Sequence, residues 1–289
     1  MRELLTRESR MISSFPHESA AGSGSRPPDH QPMCVRPLSD KNEIVNFLET
    51  DRLYAGYALG DLEPALFEQC EWAGAECNGR LCGLTLVFKG LDPPALFLMG
   101  EPGALASTLR SASFPRRAYV TCQQHHLPAV QALYHTEAPT PMWRVSIQRD
   151  DFRPVYTHEV SALSIQHLDA LMQLYGEVGV DAFTPTQLAN GVFYGVFVRR
   201  RLVAAAGTHL VSLTYGTAAV GNVCTDAAYR GRGYGTATTS AVVGELFRRG
   251  LTDVILNVAQ ANATAIRIYE RLGFTQYCPF LEMVADKKN

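Results

Sequence analysis

Three glycines in five residues, Gly231, Gly233 and Gly235, separate a β-branched run ending near Thr225 from an amphipathic run between Thr236 and Arg249. A strand that breaks into a glycine turn and re-emerges as a helix belongs to an α/β chain. The spacing predicts a helix over Thr236 to Arg249, with Val242, Val243, Leu246 and Phe247 on one face and Gly250 as its cap. Without a Cβ, the turn reaches conformations closed to other residues and lets a ligand approach the backbone. Its amides and the free N–H groups of the helix start converge on negative charge, and Arg230 and Arg232 add countercharge for a pyrophosphate.

The patterns around this turn form an ordered series. Val155 to Val160 reads as a strand, Leu163, Leu168, Leu171, Met172 and Tyr175 as a helix face, and a second short helix starts near Thr184 and Pro185. A hairpin of Val192 to Val198 and Leu202 to Leu213 turns at Arg199, Arg200 and Arg201, and Ala218 to Thr225 is the strand before the glycines. Val254 to Val258 reads as a buried strand. Asn262 caps a helix lined by Ile266, Tyr269 and Leu272 that stops at Gly273, and a last strand begins at Phe274.

The first half repeats this order in outline. It runs through a strand (Cys34 to Leu38), a helix (Lys41 to Glu49) and a hairpin (Trp72 to Cys77 with Leu81 to Lys89) turning at Asn78 and Gly79. It continues with a strand (Ala95 to Met99), a helix (Ala104 to Arg110), a strand (Tyr119 to Cys122), a helix (Pro128 to His135) and a closing strand (Trp143 to Ile147). Residues 1–32, rich in Ser, Gly, Pro and His, are expected to be a disordered tail. The boundary near Asp151 then gives domains at 33–150 and 151–289.

Three kinds of phosphate loop compete for the glycines. A dinucleotide fingerprint requires a third glycine where Thr236 stands and an acidic residue closing the next strand, whereas Asp253 precedes it. A Walker loop requires Gly-Lys-Ser/Thr, which is absent. Arg230-x-x-Gly233-x-Gly235 instead resembles the acetyl-CoA pyrophosphate loop of the GNAT superfamily of N-acetyltransferases, and Asn257, Asn262, Ala263, Ile266, Tyr269, Gly273 and Phe274 resemble the strand and helix that follow it there. The resemblance covers roughly residues 155 to 280.

That resemblance implies an α/β fold of two GNAT-like domains, each a mixed, mostly antiparallel sheet flanked by helices, with the active copy C-terminal. It implies acetyl-CoA as cosubstrate, held by Asn222, Val223, Cys224, Thr225, Arg230, Gly231, Arg232, Gly233, Tyr234, Gly235, Thr236, Asn257 and Asn262. Val223 would donate its N–H to the thioester oxygen. Tyr269 would be the catalytic acid that protonates the departing thiolate, since a phenol of ordinary pKa near 10 remains a donor at neutral pH. The acceptor is expected to be a small-molecule or peptide amine.

The base is less defined. Many relatives carry a carboxylate on the strand before the loop, but Ala219, Val220, Gly221 and Asn222 occupy it here. Glu159, Glu177, Asp181 and His209 are substitutes, none of them assigned. Cys224, in an apolar strand without a basic partner beside it, reads as structural. In the first half the chain after Met99 reads Gly100, Glu101, Pro102, Gly103; Glu101 would repel a pyrophosphate and Pro102 lacks an amide, so this half is expected to shape the acceptor site or pack against the active half.

Among the 289 residues the formal charge of −2, with no long basic block, offers nothing to nucleic acid or to an anionic membrane. Seven cysteines, an odd number without zinc-ligand spacing, suggest reduced thiols in a cytoplasmic protein and no metal. The rival reading is a coenzyme A-binding regulatory or assembly module without turnover, favoured by the missing carboxylate and disfavoured by Tyr269; the sequence specifies neither the acceptor nor the oligomeric state.

Overall fold

Alternating side chains build the strands, and residues that accept left-handed backbone join them. The computed structural model describes residues 33–111, 113–180 and 183–288, so the tail expected at 1–32 lies outside the described residues. Strand β1 (Cys34–Pro37) leads through α1 (Lys41–Leu48), capped by Asp40, and the short α2 (Gly56–Gly60) and α3 (Pro64–Phe67) to a hairpin of β2 (Cys70–Cys77) and β3 (Arg80–Phe88). Asn78 and Gly79 turn that hairpin with φ of 54° and 73°. There follow β4 (Ala95–Gly100), α4 (Pro102–Ser111), β5 (Arg117–Cys122), α5 (Leu127–Leu133), β6 (Tyr134–Thr136) and β7 (Thr140–Ile147).

The second half takes the same order. Its elements are β8 (Ser161–Ala162), α6 (Leu168–Val178), α7 (Pro185–Asn190), β9 (Tyr194–Val198), β10 (Arg201–Ser212), β11 (Thr217–Thr225), α8 (Tyr234–Arg248), β12 (Asp253–Ala259), α9 (Ala263–Leu272) and β13 (Thr275–Lys287). Thr184 caps α7 and Asn262 caps α9, while Gly273 ends α9 in left-handed backbone, as the sequence signals predict.

One sheet runs through both halves in the order β1-β2-β3-β4-β5-β13-β7-β12-β11-β10-β9-β8, with β6 paired to β13. Its neighbours are antiparallel except β4 with β5 and β11 with β12. The closing strands are exchanged: β7, from the first half, lies against β12, and β13, from the second, lies against β5. The two exchanged strands pair with each other at the centre.

Helices α8 and α9 pack over Val220, Val254, Leu256, Val145 and Ile147. On the opposite face α1 and α2 cover Leu84, Leu86, Phe97, Met142 and Phe280. The second of these helices also reaches the C-terminal half, because Gly56 meets Ile255 and Gly60 meets Leu210 so closely that a Cβ at either would lie 2.5 Å from the neighbouring side chain. No helix among the described residues is long and apolar enough to cross a membrane.

Several expectations need correction. Residues 155–160 form no strand, because this segment lies along α8 instead of joining the sheet: Phe152 packs on Phe247 with ring centroids 5.7 Å apart, and Val155 N–H donates to Ser240 Oγ at 2.8 Å. Helix α8 begins at Tyr234, two residues early, because Gly233 takes the cap position with φ 85°. His135 belongs to β6, where it pairs with Asp286, and Met172 is exposed on α6. Cys77 and Cys82 form a disulfide across the β2–β3 hairpin, against the expectation that all thiols are reduced. Their sulfurs lie with a Glu101 oxygen within 4.8 Å of one another, but joined to each other they offer no thiolate to a metal.

Candidate active site

The parallel strands β11 and β12 are hydrogen-bonded in register only from Thr217 with Asp253 to Val220 with Leu256. Beyond that point both strands continue unpaired on their facing sides and the sheet opens. Two bulges coincide with the opening. Register between β10 and β11 shifts once after Ala205, where β11 carries the extra residue, and again after Thr208, which leaves His209 as the extra residue of β10. A bulge bends its strand and re-aims the side chain. Asn222 takes the β11 kink with φ 53°, a conformation that asparagine tolerates better than most residues. Helices α6 and α7 pin it, as Tyr175 OH donates to its carbonyl at 2.9 Å and its own Nδ2 donates to Gln187 Oε1 at 3.2 Å.

At the end of β11 the Asp226 carboxylate caps the turn Ala227–Tyr229 and pairs with Arg201 at 2.6 Å. Gly231 and Gly233 then adopt φ of 75° and 85°, which admits the chain to α8. The N–H groups from Gly231 to Thr236 bond to no acceptor among the described residues, and the first closed turn of the helix is Ala237 N–H to Gly233 O at 3.0 Å. Six successive unpaired amides at a helix start form an anion cradle. Arg230 and Arg232 flank it, both exposed, the first steadied by Nε donating to Thr225 O at 3.2 Å and the second lying 5.3 Å from the Tyr229 ring. His158 reaches the same loop. Its Nε2 donates to Arg232 O at 2.7 Å and its ring meets Tyr234 edge-on at 4.7 Å.

The remaining expected cofactor residues divide by location. Val223 and Thr225 lie on the opened edge of β11, half-buried. Cys224 points into the cluster under α6, where burial pushes its thiol up to about 12, so it is packed and inert. Asn262 spends its Oδ1 on Ala265 N–H at 3.1 Å. Tyr269 stands on α9 among buried residues, its ring 5.8 Å from Phe274, and burial pushes its phenol up to about 12. Asn257 follows the last paired residue of β12 and donates through Nδ2 to Glu282 Oε1 at 3.0 Å.

Across the sheet from α8 and α9, the first half supplies one wall of the opening. Tyr57 of α2 lies with its OH 2.9 Å from His209 Nδ1 and its ring 4.9 Å from the Arg144 guanidinium. Burial raises the Tyr57 phenol well above its ordinary value, Arg144 opposing and Glu282, Asp61 and Tyr269 adding to it. His209 stands over Gly221, where a Cβ would come 2.2 Å from Nε2; burial pushes its imidazole down to about 4, with Asn222 pulling the other way. One turn after Tyr57, burial pushes the Asp61 carboxyl up to about 7.

Of the three candidate bases among the described residues, the structure brings His209 to the opening. Glu159 is exposed, Glu177 pairs with Arg201 at 2.7 Å on the outer side of α6, and Asp181 lies outside the described residues. Sequence reading missed Tyr57, Asp61, Arg144, His158 and Glu282. Arg144 and Glu282 carried a signal, each as a lone charge inside an apolar strand; Tyr57 and Asp61 depend on where α2 is placed, and His158 on the path of residues 152–160 along α8.

The acetyltransferase (GNAT) family matches residues 149–274, the segment that holds the opening, the glycine loop and α9. Mycothiol acetyltransferase of Thermobispora bispora is 50% identical over 48 residues, 17% of this chain and 16% of that protein. The [ribosomal protein bS18]-alanine N-acetyltransferase of Escherichia coli is 38% identical over 55 residues, 19% of this chain and 37% of its own length. The aligned stretches are thus well under two thirds of either relative. A solved tandem GNAT protein from the clavulanic acid biosynthesis pathway shares the fold over 88% of this chain and 98% of its own, with a TM-score of 0.55 at 15% identity. With the opened parallel strands and glycine loop inside the matched segment, residues 149–274 are a domain of the GNAT acetyltransferase family.

Proposed function

We propose that the second half binds acetyl-CoA at the opened edge of β11 and β12 and transfers its acetyl group to an amine admitted beneath α2. One observation carries this reading: six unpaired amides flanked by two arginines stand at the same strand ends where the sheet opens. The amides of Gly231, Gly233, Tyr234, Gly235 and Thr236 with Arg230 and Arg232 fit a pyrophosphate, and the free edge from Asn222 to Thr225 fits the amide groups of a pantetheine arm. On this reading residues 33–150 and 151–289 are two GNAT-like copies, of which the first contributes a wall instead of a second catalytic centre.

In the reaction the amine nitrogen bonds to the acetyl carbon as the carbon–sulfur bond breaks; one proton leaves nitrogen and one arrives on sulfur. The Val223 N–H would stabilise the carbonyl oxygen. Tyr269, its phenol held at about 12, stays protonated at neutral pH and serves as the donor to sulfur. His209 is the proton acceptor of this scheme. With its imidazole near 4 it is unprotonated across the working range but a weak base, so the acceptor must enter as the free amine.

Calorimetry with acetyl-CoA, followed by turnover on an amine panel, tests the reading. Micromolar binding with release of free thiol only in the presence of an amine is expected. Binding without turnover on any amine would favour the regulatory module, and no binding would remove the transferase reading. The rate should climb with the free-amine fraction of the acceptor, with no histidine inflection near pH 6.5.

A further inference from the structure

Among the described residues, three buried side-chain atoms at the opening of β11 and β12 lack a hydrogen-bond partner: Arg144 Nε and Nη1 and Asn257 Oδ1. Arg144 and Asn257 are direct partners across β7 and β12, Asn222 lies at the kink opposite, and Tyr57 bridges the two sides by touching Arg144 and His209. Buried polar groups in folded chains are nearly always paired, so three unpaired atoms on two paired residues describe the outline of a ligand.

Their chemistry defines that ligand. Arg144 is 1% exposed and forms a single hydrogen bond, from Nη2 to Tyr54 O at 3.1 Å. Glu282 senses its charge but shares no hydrogen bond with it, its two oxygens accepting from Asn257 and Tyr119. A buried guanidinium without an anion is costly. Whichever Nη2 hydrogen is used for Tyr54, the other forms a parallel pair with Nε or with Nη1, so one bidentate edge of the fork remains open. The rings of Tyr57 and Phe280 lie 4.9 and 5.3 Å from the guanidinium carbon, and the two parallel N–H groups of the open edge match the two oxygens of a carboxylate. Asn257 supplies the complement. Because its Nδ2 faces a carboxylate oxygen, its free atom is the acceptor Oδ1, suited to an amine N–H.

We propose that the acceptor is an amine carrying its own carboxylate, bound with the carboxylate on Arg144 and the nitrogen beside Asn257. This rests on the acetyl-transfer reading and narrows its substrate class. Arg144 and Asn257 are paired residues of adjacent strands, so one ligand can engage both. Both holding residues sit on the acceptor face, and one of them, Arg144, comes from the first half of the chain.

The test compares glycine, β-alanine, γ-aminobutyrate and larger L-amino acids with their amides, as acceptors for the wild type, Arg144→Lys and Arg144→Gln. In the wild type kcat/KM should favour acids over their amides at least a hundredfold, and the series from glycine to γ-aminobutyrate reads the spacing of the two groups. In Arg144→Gln the preference should collapse to within threefold while acetyl-CoA affinity is retained, and Arg144→Lys should keep part of it. Equal use of acids and amides by the wild type, or a preference unchanged in Arg144→Gln, overturns the proposal. Thermal shift with the same acids and amides in the absence of acetyl-CoA reads the slot without turnover: acids alone should raise the wild-type midpoint, and no such difference counts against it. Should Arg144→Gln fail to fold, the wild-type comparison decides. Calorimetry with acetyl-CoA on the same preparations separates failure of this slot from failure of the transferase reading.

Discussion

The two halves cross from their parallel strands into the following helix in opposite ways. After β11 the chain spends eight residues, 226–233, before α8 begins, and leaves six amides unpaired. After β4 a single residue, Glu101, precedes α4; its N–H is taken by Cys82 O at 2.8 Å, and Pro102 has none to give. The carbonyl of Gly100 accepts from His126 Nε2 at 2.8 Å, so an imidazole with 0% exposure meets the strand end where a ligand's amide would lie in the other half. Burial pushes that imidazole down to about 4, which keeps it neutral. Similar order of elements therefore yields a cradle in one half and a sealed turn in the other, and the difference resides in loop length and amide supply.

Several experiments would break or sharpen this contrast. The largest effect is expected from dividing the chain into 33–150 and 151–289. Each piece lacks the strand that closes it, so neither alone should unfold cooperatively and mixing should restore a transition; two independently folding pieces would show the exchange to be dispensable. Next, Gly233→Asp should weaken acetyl-CoA binding about a hundredfold or more, ~3 kcal/mol, through left-handed strain and a misplaced negative charge, read by calorimetry. The matching Gly103→Asp should leave affinity unchanged, and equal losses would end the distinction between the loops. Tyr269→Phe should lower kcat about a hundredfold without altering affinity for acetyl-CoA. Tyr134→Phe in the first half should lose only its bond to Pro115 O, about 1 kcal/mol in stability, with no change in rate.

The smallest effect concerns Asp61. Its folded carboxyl is raised to about 7, so folding binds a proton; that contribution is complete below the ordinary aspartate range and is lost as pH rises through 7. Asp61→Asn should therefore match the wild type in unfolding free energy at pH 4 and exceed it at pH 8.5 by about 1–3 kcal/mol, read from denaturant melts. A gain at pH 4 instead would show that the carboxyl is not buried as described.

Much of the local structure was legible because caps and turns are short-range signals. Asn262, Gly273, Thr184 and the Asn78-Gly79 turn each act within a few residues of themselves, and each stands where its chemistry requires. The exchange of β7 and β13 left no trace, since an alternating strand reads the same whichever neighbour it joins. The same blindness explains residues 155–160, whose β-branched side chains suit the flank of a helix as well as a sheet. In the site, the loop and Tyr269 could be anticipated from linked motifs. Tyr57 and Asp61 could not, because α2 owes its place over β10 and β12 to Gly56 and Gly60 meeting residues about 150 to 200 positions later.

The exchanged strands also determine when the protein can be completed. Tyr119 and Glu282, neighbours across β5 and β13, are 163 residues apart in the chain. A nascent polypeptide that has made β5 lacks the native partner of that edge throughout synthesis of the second half. Unpaired edges of this kind recruit other chains. Mutations that slow the arrival of β13 should therefore appear as lost yield before they appear as lost activity.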